Sequence, residues 1–235
     1  MSSTAVVVHS VRPGDAVIGY ATQELTRCLS AMTGQTVATG EAAGESVIRL
    51  GLCSDFPELE QIIVADLAWD DAYTIVSGPG GLTLAGTNPR SVLMSAYGYL
   101  RELGARWLWP GAEGEHLPLL AEIPLTGFDL RWQAPFRHRA GCIEGSLSLE
   151  HILDYLEWLP RVEMNAYMVQ WGDRGFGFWN RWYEHKYNDL WTERRTISDE
   201  EGQAFDEQVL DAMKLRGLLH HRVGHGWTDA ALGLK

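Results

Sequence analysis

Basic side chains are scarce in this 235-residue chain, with Lys and Arg numbering 19 against 31 Asp and Glu, for a net charge of −12. A surface of that sign repels phosphates, which argues against a nucleic-acid partner and against an anionic membrane surface. Cysteine is nearly lacking: Cys28, Cys53 and Cys142 are an odd set with no CxxC spacing. They read as free thiols in a reducing compartment rather than as a disulfide frame. No apolar run approaches the ~20 residues that a membrane-spanning helix needs. The opening MSSTAVVVHSVRPGD has neither a basic stretch nor a long apolar one, so a cytoplasmic location is expected. A GxSxG elbow, a P-loop and a GxGxxG fingerprint are all missing, and GPGGLTLAG has the wrong spacing for the last. Internal repeats and low-complexity tracts are missing too. No cofactor is implied.

What is present divides into unlike parts. Residues 1–126 carry 6 basic, 14 acidic and 8 aromatic side chains, and residues 127–235 carry 13, 17 and 16. Seven of the ten tryptophans fall in the second part. The join, PGAEGEHLPLLAEIPLTG, holds three prolines and three glycines and reads as a linker. A domain boundary is therefore expected near Thr126, giving domains 1–126 and 127–235.

The first part alternates strand and helix signals. Ala5–His9 and Val47–Leu52 are short β-branched or apolar runs, and Ala16–Met32 has helical spacing that ends at Gly34. Tyr73–Ser77 and Leu82–Ala85 flank GPGG, a hairpin signal. Asn88 offers an N-cap and Pro89 the first helical position, and Leu93, Ala96, Tyr97 and Leu100 follow on one face. Gly104 closes that helix and Arg106–Trp109 runs extended. A small α/β sandwich results.

The second part reads strand, helix, strand, helix, strand. Arg139–Ile143 leads to Ser148, the N-cap of a helix over Leu149–Leu159 that Pro160 stops. Ala166–Trp171 is the next strand, followed by a long loop from Gly172 to Ile197. Ser198 and Glu201 form a capping box for Asp199–Leu215, with Phe205, Val209, Ala212 and Met213 facing inward and Gly217 ending it. Leu218–Val223 is the third strand. The order implies parallel βαβ units. They fit the first three units of a TIM (β/α)8 barrel, which needs ~250 residues, or half of a doubly wound sheet. The loops favour the barrel, whose sites gather at the C-terminal strand ends: Glu144, Trp171 with Asp173, and His221, His225 and Trp227 share one rim. A barrel stopping at Lys235 has open edges at its first and third strands, so a truncated longer protein or a homo-oligomer through those edges is expected.

GLTLAGTNPRSVLMSAYGYLRELGARWLWPG resembles the non-catalytic domain before the barrel in family 20 β-N-acetylhexosaminidases, family 67 α-glucuronidases and uncharacterised bacterial relatives. There a strand ending in Gly feeds a helix with Tyr-Gly, then Leu-Gly-x-Arg-Trp. FRHRAGCIEG resembles the hexosaminidase first strand, on which Arg139 matches the arginine gripping sugar hydroxyls and Glu144 the aspartate. NAYMVQWGD resembles the second strand, through Asn165 and Asp173, and LRGLLHHRVGHGW resembles the third. Gln170 replaces the family's histidine and HHRVGHG its acidic segment, which points toward the uncharacterised relatives. The resemblance implies an N-terminal part of a glycoside hydrolase, with the catalytic acid pair after a fourth strand, outside this chain.

The candidate site residues keep a functional and a plainer reading side by side. Arg139 either grips vicinal hydroxyls or a uronate, or makes an ion pair inside the barrel foot. Glu144 and Asp173 could form the carboxylate pair of glycoside hydrolysis, yet the resemblance places the catalytic acids beyond the chain, which leaves these two to bind substrate hydroxyls or to hold the rim together. Nine aromatic residues lie between Asn165 and Trp191; most are expected to pack a local core and two or three, Trp171 among them, to stack on sugar faces. His220, His221 and His225 do not suit zinc, because Gly224 and Gly226 disfavour a helix and no HExxH is present. No metal is expected. His221, His225 and Trp227 are instead candidate substrate contacts. The alternative to an enzyme part is a non-catalytic carbohydrate-binding or assembly module.

Overall fold

The computed structural model describes residues 6–41, 46–59, 64–143, 148–169, 176–184, 186–187 and 194–222. The chain forms two compact units, Met1–Arg137 and His138–Lys235. The division falls beyond the expected Thr126, for a reason visible in the first sheet.

In the first unit, β1 (Val7–Ser10), β2 (Ala38–Thr39), β3 (Val47–Leu52), β4 (Ala72–Gly78) and β5 (Gly81–Gly86) form one sheet, with α1 (Ala16–Thr33) and α2 (Pro89–Glu102) packed on it. A hairpin follows, β6 (Arg106–Trp107) with β7 (Glu115–His116), and then β8 (Asp129–Gln133). The strand order is β2-β1-β3-β5-β4-β8. The first four are parallel to their neighbours, while β4 runs antiparallel to both β5 and β8. Because β8 completes this sheet, the proline- and glycine-rich stretch is an internal connection of the unit. The sequence signal was punctuation; the pairing that overrides it is non-local.

Local chemistry explains the elements. Asp15 caps α1, its carboxylate accepting from the Val17 and Ile18 amides at 2.9 and 3.0 Å, and Gly34 ends the helix at φ 67°. Asn88 caps α2 through the Ser91 amide at 2.9 Å, with Pro89 at the first position. Register lines up Leu50, Leu84 and Ile75 across three strands, each fully buried. Gly86 lies two rows further along β5, and a Cβ there would sit 2.4 Å from the Val92 amide nitrogen of α2. Backbone cannot yield as a side chain can, so Gly86→Ala should lower unfolding free energy by about 3 kcal/mol, the upper part of the overpacking range. Urea unfolding followed by circular dichroism measures it.

The second unit holds β9 (Ala140–Cys142), α3 (Leu149–Arg161), β10 (Ala166–Val169), α4 (Phe176–Tyr183), α5 (Asp199–Leu215) and β11 (Leu219–Arg222). The strands are parallel in the order β9-β10-β11. Helices α3 and α5 pack together and share one core: Leu149, Ile152, Leu156 and Leu159 meet Val209 and Met213, with Tyr167 of β10 and Trp179 of α4. Ser148 and Ser198 cap α3 and α5 by accepting from the amides three residues on, both at 3.2 Å. The Glu201 carboxylate is engaged by Arg195.

Two sequence expectations change here. Helix α4 lies inside the segment expected to be loop: its tryptophan and tyrosine gain more from core burial than their modest helix propensity costs. Pro160 does not stop α3 but sits in its last turn, where the helix ends one residue later at Arg161. The turn then places Glu163 at φ 64°, a left-handed conformation normally given to glycine. Glu163→Gly should therefore raise stability by about 1 kcal/mol, read as a higher urea midpoint with an unchanged m-value.

Candidate functional site

The sheet of the second unit has two distinct faces. A Cβ on Gly141 would meet Tyr155 Oη at 2.5 Å and Leu159 Cδ2 at 2.9 Å, so this position faces α3. Its register partners are Tyr167, 4% exposed in the core, and His220. The next row is Cys142, Met168 and His221, and strand alternation turns it to the opposite face, away from α3. Cys142 is exposed there, and none of the three cysteines forms a disulfide.

His221 does not stand alone on this face. The His138 ring lies with its centroid 5.0 Å from that of His221, the planes inclined by 59°. Partial burial, and secondly the neighbouring His138 charge, hold the His221 imidazole below its ordinary pKa. His138 was missed in the sequence. Counting back in twos from Cys142 through Ala140 reaches it, which is the only local signal; the partner ring is remote in the chain.

Arg139 lies at the foot of the sheet, the N-terminal end of the strands. Its Nε donates to the Glu163 carbonyl at 2.6 Å, and its amide donates to Asn165 Oδ1 at 2.8 Å. Asn165, fully buried, also donates its amide to the Arg139 carbonyl at 3.0 Å and accepts from the Leu219 amide at 2.9 Å. This asparagine thus ties all three strands together. Nearby, Arg161 and Arg216 both engage the Glu157 carboxylate, Arg216 at 3.4 Å.

The aromatic run divides as well. Trp179 and Tyr183 are 2% and 5% exposed in the core, and Trp179 Nε1 donates to Asp206 Oδ1 at 3.0 Å. Trp182 packs partly buried beside them, whereas Tyr187 is exposed with Lys186 Nζ 4.6 Å from its ring centre. Glu144, Trp171, Asp173, His225 and Trp227 lie outside the described residues. Among the described residues, no three His, Cys, Asp or Glu side chains converge to hold a metal ion. No helix among them is long and apolar enough to cross a membrane.

The stretch GLTLAGTNPRSVLMSAYGYLRELGARWLWPG resolves into packing. A Cβ on Gly98 would lie 2.7 Å from Tyr73 Oη, and Gly104 adopts φ 98°. Arg106 donates to the Arg101 and Ala105 carbonyls at 2.8 and 2.7 Å, holding the end of α2. Trp107 Nε1 donates to Glu115 Oε2 at 2.8 Å, and Arg27 grips the same carboxylate at 2.7 and 2.8 Å. The hairpin is thereby fixed to α1.

A mixed six-stranded sheet is followed in the chain by a three-stranded parallel sheet, and this fold is similar to that of solved glycoside hydrolases. Solved structures of that class resemble the chain from end to end. A GH115 4-O-methyl-α-glucuronidase with specificity for decorated arabinogalactans matches 92% of this chain over 28% of its own, at 16% identity and TM-score 0.58. A β-hexosaminidase of Streptomyces plicatus matches 92% over 41% of its own, at 14% identity and TM-score 0.57. A GH138 enzyme targeting pectin rhamnogalacturonan II matches 98% over 26%, at 11% identity and TM-score 0.56. The chain thus spans between a quarter and two fifths of these enzymes. No protein-family model matches the sequence, and no curated protein matches it.

Proposed function

We propose that this chain is the N-terminal part of a carbohydrate-active glycoside hydrolase: an accessory α/β domain, then the first three βα units of a catalytic TIM barrel. The observation that carries the reading is the second sheet. Its strands follow chain order, and both crossover helices share one core on one side, whereas a doubly wound sheet covers both faces. The likeness to glycosidases over more than nine tenths of the chain supports it.

On this reading the sheet face away from α3 and the strand ends above it contact sugar. His221 offers its ring to hydroxyls, and Glu144, Trp171, Asp173, His225 and Trp227 complete the rim. Arg139 anchors the strand foot with its backbone and Nε. The acids that cleave the bond come from outside residues 1–235, as the family 20 resemblance implies. Hydrolysis would need two carboxylates, about 5–5.5 Å apart for retention or about 6.5–9.5 Å for inversion.

Titration of the 235-residue protein with amino sugars, uronates and oligosaccharides, followed by tryptophan fluorescence, tests this. A saturable change with at least one class, weakened in His221→Ala, is expected, without turnover of aryl glycosides. A flat response across the panel overturns the sugar-facing reading. Turnover by the chain alone would instead return the catalytic role to Glu144 and Asp173.

A further inference from the structure

The pair formed by His138 and His221 has features that sugar contact alone does not require. Among the described residues, neither ring donates or accepts a hydrogen bond; His138 is exposed and His221 partly so. Two imidazole rings from separate parts of the chain thus meet, with a centroid separation of 5.0 Å.

Their spacing fits shared coordination. A nitrogen–zinc bond is about 2.0–2.1 Å, and the ring centre lies about 1.1 Å behind the nitrogen, so two imidazoles on one tetrahedral ion have centres about 5 Å apart. The observed separation is 5.0 Å. We propose that His138 and His221 together bind a borderline divalent transition-metal ion, of the Zn²⁺, Ni²⁺ or Cu²⁺ kind, through one ring nitrogen each, leaving the other positions to water or a ligand. Imidazole is a preferred donor for these ions. Strand β11 holds that ring on a regular element, and His220 takes no part because it belongs to the opposite row. The site is open, with two protein ligands, as distinct from the closed clusters of structural zinc.

The test is calorimetric titration of the whole chain with zinc, nickel and copper(II) salts, independent of any sugar. One ion per chain is expected. His138→Ala and His221→Ala should each weaken binding by at least about tenfold, since even second-shell changes around metals cost that much. Cys142→Ser should leave it unchanged. Copper(II) electron paramagnetic resonance should show coupling to two imidazole nitrogens in the parent and one in each single variant. Because His138 is exposed, its replacement leaves the fold intact, and His221→Asn with a circular dichroism check covers the half-buried partner. Absence of binding up to about 1 mM ion, undiminished affinity in His138→Ala, or binding that follows Cys142 would each overturn the proposal.

Discussion

Asp71→Ala should cost the first unit about 3–5 kcal/mol, the range for stranding a buried charge. Asp71 is fully buried, and Arg90 beside it is 5% exposed. One carboxylate oxygen accepts from Arg90 at 2.7 and 3.0 Å, from Asn88 Nδ2 at 3.1 Å and from Ser91 Oγ at 3.1 Å. Removing it leaves the buried guanidinium without its ion partner and takes one acceptor from each of two polar groups. The loss exceeds that of any surface pair in the unit, such as Arg12 with Asp55, which solvent screens. A fall in melting temperature of about 10 °C or more is expected. The charge-free pair Asp71→Leu with Arg90→Met should recover much of it, because the attraction and the desolvation penalty disappear together. A single variant as stable as the parent would show that the ion pair contributes nothing net.

Trp179→Ala is expected to be equally severe in the second unit, at about 3–5 kcal/mol for a large buried ring. Trp179 is 2% exposed, stands edge-on to Phe205 at 5.2 Å and donates to Asp206. Truncation opens a cavity among α3, α4 and α5 and leaves the Asp206 carboxylate without that donor. Trp179→Phe separates the two effects, since it keeps most of the apolar volume and loses only the hydrogen bond, for about 1 kcal/mol. Denaturant unfolding monitored by circular dichroism gives both values. In the fluorescence titration, Trp179→Phe should bind sugar as the parent does, which would separate this ring from any stacking platform.

Much of the fold was legible because its signals are local. The caps Asn88, Ser148 and Ser198, the GPGG turn and the periodic faces of α3 and α5 each depend on residues within a few positions of one another. What escaped depends on distant partners. Helix α4 forms because its rings reach the core of α3 and α5, and nothing in its own residues favours a helix strongly. Strand β8 belongs to the first sheet only through β4, on the far side of a stretch that reads as a linker. Pro160 survives in α3 because the final turn demands little of it. The site followed the same division. The placement of His221 on one face came from alternation, while its neighbour His138 came from the convergence of two remote segments. Arg139 was matched to a sugar-gripping arginine by its neighbours in sequence, yet its Nε faces the Glu163 carbonyl at the strand foot.

The membership of β8 in the first sheet decides where this protein can be cut. A piece ended at Thr126 would lose the outermost strand and bare the hydrogen-bonding groups of Ala72–Val76 that now pair with Asp129–Gln133. It would also uncover Tyr73, whose ring stacks on Trp132 at 5.0 Å. Such a fragment presents a sticky template to its own kind and would gather in inclusion bodies. Ending eleven or so residues later, at Arg137, keeps the strand and with it the Arg137 to Asp70 contact at 2.7 Å, giving a piece suited to crystallisation.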